Sequence, residues 1–288
     1  MEQFAVNLLD VAYAISTLFL LSAGLALVFG LMRIINLAHG EFIVIGGYVT
    51  LVATNAGVPI WLAIFVMSPL LVGLFGLLVE WAIIRHLYGR MMDTMLATWG
   101  LSMLISGALV TVFGNTTTGV TNPMGALTIG DYKVGGFSVF IIGVTLVLMF
   151  ISYVVLRYTR SGLIVRAAMQ SADVVAGLGY NPKTVYRITF ALGAAISGLA
   201  GGLMAPLIGL TPTSGGQFIA KSFITVISGG ASVVTGTLSA STLFGLVGKG
   251  VEWFSTPVWG ELALLLVAIV LLRLMPQGIT GRYFKEKV

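Results

Sequence analysis

Long apolar runs separated by short polar stretches dominate this chain. Six of them before the C-terminal third predict helices, at residues 12–32, 42–56, 60–83, 95–113, 137–156 and 188–209. About 20 apolar residues in a helix cross a hydrocarbon core of roughly 30 Å. The pattern therefore predicts an all-α integral membrane protein in which residues 1–288 form a single transmembrane domain.

The C-terminal third departs from this simple pattern. The stretch 222–247 contains Gly229-Gly230 and Gly236 among many Ser and Thr residues, and 257–275 predicts one more span. Irregular backbone at membrane depth is tolerated only where it lines a cavity or is buried in protein. We therefore expect a broken or re-entrant helix pair near Gly229-Gly230, and a polytopic bundle of about eight membrane segments in total.

The placement of cations supports this arrangement. With the N-terminus outside and a re-entrant pair, twelve of the 15 Lys and Arg residues fall inside, including Arg282, Lys285 and Lys287 of the tail. Cytoplasmic loops of membrane proteins carry such an excess of basic residues. The formal charge of +5 is thus explained by topology, and no basic stripe interleaved with aromatics suggests nucleic-acid binding.

Composition narrows the class of protein further. Hydrophobic residues make up 58% of the chain and charged residues 9%, which is far outside the range of soluble domains. The sequence has no cysteine, so disulfides, thiolate metal sites and Cys nucleophiles are excluded. Glycines are frequent, and the spacing in Gly198-Leu-Ala-Gly201-Gly202 predicts close helix packing.

The string RIINLAHGE places Asn36, His39 and Glu41 between two apolar runs without a loop of turn residues. Ionisable residues at membrane depth are candidates for a solute pathway. The alternative is a cytoplasmic elbow in which His39 and Glu41 meet water or cap a helix. Neither alternative is a metal site, because only one other histidine, His86, occurs and no helix-spaced carboxylate accompanies it.

Catalytic motifs are missing from the sequence, which has no HExxH, no GxSxG and no GxxxxGK[ST]. An integral membrane enzyme therefore has little support. If ATP drives this protein, another subunit must bind the nucleotide.

The polar segment at about 157–187 carries five basic residues, many Ala and Gly residues, and Asn181-Pro182 as a helix stop. Its apolar residues recur at helical spacing, which predicts a helix at the cytoplasmic surface. Such a helix either packs on the bundle as an interfacial element or docks into a cleft of a cytoplasmic partner and transmits force.

Four ordered strings resemble one known family. NLAHGEFIVIGGY (36–48), RAAMQSADVVAGLGYNP (166–182), FITVISGGASVVTGTLSA (223–240) and MPQGITGR (275–282) are similar to the permeases of the branched-chain amino acid and urea class of bacterial ABC importers. The resemblance covers nearly the whole chain. It implies a multi-pass protein of the bacterial inner (plasma) membrane and a transporter subunit without its own ATPase site.

The resemblance also implies partners and residue roles. The partners are a second, related permease, so that the pore is a heterodimer, two cytoplasmic ATPase subunits that carry ATP and magnesium, and a periplasmic or lipid-anchored solute-binding protein. No cofactor is expected on this chain. The implied residues for coupling to the ATPase are Arg166, Ala167, Ala168, Asp173, Gly177 and Gly179; those for the translocation pathway are Asn36, His39, Glu41, Ser228 and Gly229.

The expected solute is a small polar nutrient. LYGRMMDTMLATWGLS (87–102), KSFITVISGG (221–230) and the stretch 249–278 resemble the urea and short-amide branch. Lys221 departs from the acidic residue expected before Ser222 in urea-type members, and the MPQGITGR end resembles the amino-acid branch as much. A zwitterion would favour paired charges or helix ends, and the few buried charges expected here favour a neutral solute. Urea or a short amide is therefore slightly preferred over a branched-chain amino acid. A passive channel or facilitator for a small neutral solute is the alternative function.

Overall fold

A computed structural model describes residues 2–130, 132–230 and 232–281 of the chain. Within these ranges the chain is mainly helical, with one short β-hairpin and several connecting loops. The helices are α1 Glu2–Met32, α2 His39–Asn55, α3 Ile60–Leu62, α4 Ser68–Ala82, α5 Met91–Phe113, α6 Gly136–Tyr158, α7 Arg160–Gln170, α8 Ala172–Gly177, α9 Pro182–Met204, α10 Gly215–Gly229, α11 Val233–Phe254 and α12 Pro257–Leu274. A π-helical segment, Ala63–Met67, joins α3 to α4.

The predicted membrane architecture is confirmed. Among the described residues, six helical stretches are long and apolar enough to cross a membrane, and the bent pair α10–α11 adds a seventh. Helix α2, with 17 residues, corresponds to the short predicted run at 42–56. Of the six helices predicted before the C-terminal third, the first and the last differ most from the prediction. Helix α1 begins at Glu2 rather than at residue 12, and α9 spans Pro182–Met204 rather than 188–209.

The predicted break at Gly229-Gly230 is confirmed as well. Helices α10 and α11 meet at an angle of 112° across residues 230–232. Gly230 has a φ of +86°, a backbone conformation that glycine adopts at little cost. The two helices of the pair are longer than helices that cross only half of a membrane, since α10 has 15 residues and α11 has 22.

Residues that follow α12 form hydrogen bonds with the backbone at this break. The backbone N–H groups of Ile279 and Thr280 donate to the carbonyls of Ser228 and Gly229 at 2.8 and 3.1 Å. The Thr280 hydroxyl donates to Gly229 O at 2.6 Å and accepts from the N–H of Ser232 at 3.3 Å. Thr280 therefore satisfies backbone groups that the ends of α10 and α11 leave without helical partners. The basic residues Arg282, Lys285 and Lys287 lie outside the described residues.

The chain divides into two compact units, each made from separate pieces of sequence. One consists of Met1–Ser22, Asn122–Phe150 and Lys221–Val288. In it Leu18, Ala240, Phe244 and Ala268 form a buried apolar cluster. This unit also contains the hairpin of β1 Ala126–Ile129 and β2 Tyr132–Gly135, which the sequence patterns did not predict.

The other unit consists of Ala23–Thr121 and Ile151–Ala220, and α9 packs against α2 and α4 at its centre. At their glycine positions these helices approach so closely that not even a Cβ would fit. A Cβ on Gly201 would overlap the carbonyl oxygen of Ile43, and one on Gly198 would lie 2.7 Å from the carbonyl oxygen of Ser68. The close packing predicted from the glycine spacing is thus present.

In each unit, chain segments that we predict to lie on the same side of the membrane contact each other. Gly130, in the loop predicted to be outside, lies against the carboxylate of Glu2 near the N-terminus. In the other unit Leu31, at the predicted inner end of α1, packs on Ala168 and Val175 of α7 and α8. These contacts agree with the predicted alternation of the helices.

The segment 157–187 contains two short helices rather than one. Thr159 caps α7 by accepting from the N–H of Gly162, and Ser171 separates α7 from α8 in an extended conformation. The prediction that Asn181-Pro182 stops a helix is incomplete. The Asn181 side chain accepts from the N–H of Lys183 and caps α9, and Pro182 occupies the first turn of that helix.

Candidate functional site

The backbone between α1 and α2 is irregular, and most of its side chains are at least partly buried. Helix α1 ends at Met32, and Arg33, which follows it, is exposed and has a φ of 51° in the left-handed region. Asn36, which is 3% exposed, accepts from the N–H of Ala38 through its side-chain oxygen, a local bond typical of turns. The Thr98 hydroxyl of α5 accepts from the N–H of Leu37 at 3.0 Å. The irregular segment therefore depends on side-chain oxygens for its hydrogen bonds.

His39 begins α2 and is 2% exposed. Its Nδ1 lies 3.2 Å from the hydroxyl of Ser197 on α9, and that hydroxyl lies 2.8 Å from the carbonyl of Gly193. A serine hydroxyl has one hydrogen to donate. If it is donated to Gly193, His39 must donate from Nδ1, which fixes the tautomer of a neutral imidazole.

Glu41 lies in the first turn of α2 and is 4% exposed. The Ser102 hydroxyl donates to its Oε1 at 3.1 Å, whereas Oε2 has no hydrogen-bond partner among the described residues. Ser102 is the midpoint of α5, which runs from Met91 to Phe113. At 1.5 Å per residue, the contact lies roughly 16 Å from either end of that helix.

The Glu41 carboxylate also touches the first residue of α10. A Cβ on Gly215 would overlap the carboxylate, and one on Gly40 would lie 2.7 Å from the carbonyl carbon of Gly215. A helix N-terminus carries a partial positive charge, which favours a nearby anion. The absence of side chains at Gly40 and Gly215 is what lets the two helix starts cross this closely.

Burial bears on one half of the elbow alternative for the RIINLAHGE string. Asn36, His39 and Glu41 are all buried, which speaks against side chains that meet water, and the part of these residues in a solute pathway stays a prediction. A carboxylate buried among membrane helices is costly and is a functional-site hypothesis by default. The site can offer a carboxylate oxygen, hydroxyls and an imidazole to a small polar molecule. Within the described parts of the chain no three His, Asp or Glu side chains could hold a metal ion.

The other two predicted pathway residues lie in the other unit. Ser228 is fully buried near the end of α10, and its hydroxyl has no hydrogen-bond partner among the described residues. Gly229 is the last residue of α10, where a Cβ would lie 2.5 Å from the backbone of Gly236. Their part in a pathway stays a prediction.

The predicted coupling residues separate into two faces of the segment α7–α8. Arg166, Asp173, Gly177 and Gly179 are exposed. A Cβ would meet nothing within 4 Å at Gly177 or Gly179, although Gly179 has a φ of +86°. Ala168 is 5% exposed and packs against the end of α1, and Ala167 borders the same cluster. Ala167 and Ala168 therefore attach the segment to the unit, while the other four face outwards.

Sequence reasoning missed the residues that complete both sites. Ser102, Ser197 and Gly215 contact the predicted polar residues, but each lies more than 60 positions away in sequence. The outward face of α7–α8 also bears exposed apolar side chains that were not singled out, namely Leu163, Val174 and Leu178. The only local signal for this face was the presence of apolar residues within an otherwise polar segment of the sequence.

Comparisons with known proteins agree with this architecture. A family profile described as "Branched-chain amino acid transport system / permease component" matches residues 7–275. The chain is 27% identical to the high-affinity branched-chain amino acid transport system permease protein BraD of Pseudomonas aeruginosa, over 95% of this chain and 94% of BraD. It is 26% identical to the protein of the same description, LivH, of Escherichia coli strain K12, with the same coverage.

No solved structure gives a significant match to the chain. The family match extends over nearly all of the sequence, and the apolar helices fit a multi-pass protein of the inner membrane. The chain therefore belongs to the branched-chain amino acid transport permease family and is a permease subunit of an ABC importer, not an enzyme.

Proposed function

We propose that this chain forms half of the translocation pore of an ATP-driven importer for a branched-chain amino acid, and that Glu41 contacts the solute. The observation that carries the proposal is the buried Glu41 carboxylate beside the midpoint of α5, with one oxygen lacking a partner among the described residues. A buried carboxylate requires a compensating partner. The ammonium group of an amino acid would supply it during passage.

This reasoning reverses the slight preference for a neutral solute. That preference rested on an expectation of few buried charges, yet Glu41 and Glu80 are both nearly inaccessible. The names of BraD and LivH also describe branched-chain amino acid transport. An apolar side chain on the solute would in addition suit a bundle of apolar helices.

Urea or a short amide is the second candidate. The observation in its favour is that Ser102, which ends the urea-like string 87–102, reaches the site itself. Together with Asn36 and Ser197 it offers neutral donors and acceptors. Such partners would suit an uncharged amide without any ion pair.

The proposed mechanism assigns ATP and magnesium to partner subunits. The outward face of α7–α8, with Arg166, Asp173 and Gly177, would seat in a cleft of one of two ATPases. A second, related permease would complete the pore, and a solute-binding protein would deliver the solute. Closure of the ATPase pair would move α7–α8 and open the polar path, with different contacts in the two states supplying the switch.

Reconstitution tests the solute and the energy source together. Proteoliposomes containing the permease pair, the ATPases and the binding protein are supplied with labelled leucine, valine, urea or acetamide, with and without internal ATP. We expect leucine and valine uptake that requires both ATP and the binding protein. Uptake of urea alone would favour the second candidate, and uptake without ATP would mean a passive channel.

A further inference from the structure

A second buried carboxylate, Glu80, lies apart from the Glu41 site. It is 1% exposed and belongs to the last turns of α4. Both of its oxygens have partners: the Tyr88 hydroxyl donates to Oε1, and Arg187 Nε donates to Oε2 at 3.2 Å. Sequence reasoning assigned no role to any of these three residues.

Glu80, Tyr88 and Arg187 lie at one end of the interface between α4 and α9. Further along that interface, a Cβ on Gly76 would overlap Ala194, and one on Gly73 would lie 3.2 Å from the Cβ of Ala195. Glu80 follows Gly76 by four residues, so it lies on the same face of α4. An interface of small residues that fit against each other therefore ends in an ion pair.

Aromatic contacts connect this ion pair to the segment α7–α8. The rings of Tyr88 and Tyr186 meet edge to face with their centroids 5.1 Å apart. Tyr186, next to Arg187 in α9, also packs on the cluster that contains Ala168 of α7 and Val175 of α8. A continuous set of contacts thus runs from α7–α8 through Tyr186 and Tyr88 to Glu80.

Packing alone does not explain a charged pair at this position. A buried charge such as that of Glu80 loses its hydration, so pairing it stabilises a fold little, or less than apolar residues of similar volume would. The Arg187 side chain is 46% exposed, so its guanidinium can exchange Glu80 for water. Burial, together with the hydrogen bond to Glu80, raises the pKa of Tyr88, so the phenol remains a donor.

We propose that Glu80, Tyr88 and Arg187 are positioning residues that transfer a displacement of α7–α8 to the α4–α9 pair. The inference rests on the proposed docking of α7–α8 to an ATPase. When α7–α8 moves, Tyr186 and Arg187 move with the start of α9, and the bonds to Glu80 force α4 to follow. Without these bonds, only the packing of small residues further along the interface would couple α4 to α9.

The test uses the complete reconstituted transporter and measures ATP hydrolysis, solute uptake and their ratio. Glu80→Gln removes the charge, and Tyr88→Phe removes one donor while it keeps the ring contact with Tyr186. We expect both variants to hydrolyse ATP at nearly the wild-type rate. The ATP consumed per solute should rise by at least about fivefold, the lower end of allosteric coupling effects.

Asp93→Asn is the matched control, because Asp93 forms an exposed ion pair with Arg90 near the start of α5. It should leave the ratio unchanged. Hydrolysis and uptake that fall in parallel in Tyr88→Phe, or a ratio that stays at the wild-type value, would overturn the inference. Failure of the proposed docking looks different, since the ATPases would then not co-purify with the wild-type permease.

Discussion

Replacing Glu41 by Gln removes the buried charge with little change in shape. The glutamine oxygen can still accept from Ser102, whose hydroxyl lies 3.1 Å from Oε1. Burying a neutral amide costs less than burying a carboxylate. We therefore expect the Glu41→Gln protein to insert, assemble and melt at the wild-type temperature or slightly above it.

The effect on transport should be large if the solute carries an ammonium group. A hydrogen bond to a charged group contributes about 1.5–3 kcal/mol. Since each 1.36 kcal/mol corresponds to a tenfold change in rate, leucine uptake below saturation should fall roughly 10- to 150-fold. A neutral amide, which makes no ion pair with Glu41, should lose much less.

The assay is ATP-driven uptake of labelled leucine by proteoliposomes containing the complete transporter. Glu252→Gln is the control, because Glu252 forms a partly exposed pair with Lys249 at 2.9 Å and such pairs contribute little. Leucine uptake at the wild-type level in Glu41→Gln would refute the proposed contact between this carboxylate and the solute. A loss of assembled complex, measured by size-exclusion chromatography, would refute the reasoning about burial.

Three further predictions concern packing, coupling and the break between α10 and α11. Gly201→Val should destabilise the protein by about 1–3 kcal/mol, because the new side chain would overlap α2, and the melting temperature should fall. Gly100→Val is the control and should leave the melting temperature unchanged, because a Cβ at that position meets nothing within 4 Å. Gly177→Trp should leave the protein inserted and ATP hydrolysis intact while uptake falls; normal uptake would contradict the docking assignment. Thr280→Val should lower the unfolding free energy by about 1 kcal/mol through the lost hydroxyl bonds, whereas Thr111→Val, at an exposed position of α5, should have a smaller effect.

The membrane helices were predictable because lipid imposes a strong and local requirement. A helix that crosses the bilayer must be apolar over about 20 residues, and this length is visible in any window of the sequence. The break after Gly229 was predictable for a related reason, since paired glycines among hydroxyl residues do not favour a continuous helix. The close packing of α9 followed from the spacing of Gly198, Gly201 and Gly202, although its partners α2 and α4 did not.

The partners of the buried polar groups could not be predicted in this way. Ser102 and Glu41 are 61 positions apart, and Arg187 and Glu80 are 107 apart. No periodic pattern links residues at such separations, because their proximity depends on how whole helices pack. The hairpin at 126–135 escaped prediction because its strands have only four residues each, which is too short for a distinct strand pattern.

Two of the strings that resemble the permease family have a common physical role in this structure. The segment 33–38 and the residues 275–281 both leave the helix, and backbone groups inside a membrane protein must find partners within the protein. Thr98 supplies one at Leu37, and Thr280 supplies one each at Gly229 and Ser232. Asn36 and Thr280 therefore hold irregular backbone in place through their side chains. Glu41 differs, because its Oε2 has no hydrogen-bond partner among the described residues and so stabilises no backbone group. That difference is why, within these strings, Glu41 rather than Asn36 is the residue we assign to the solute.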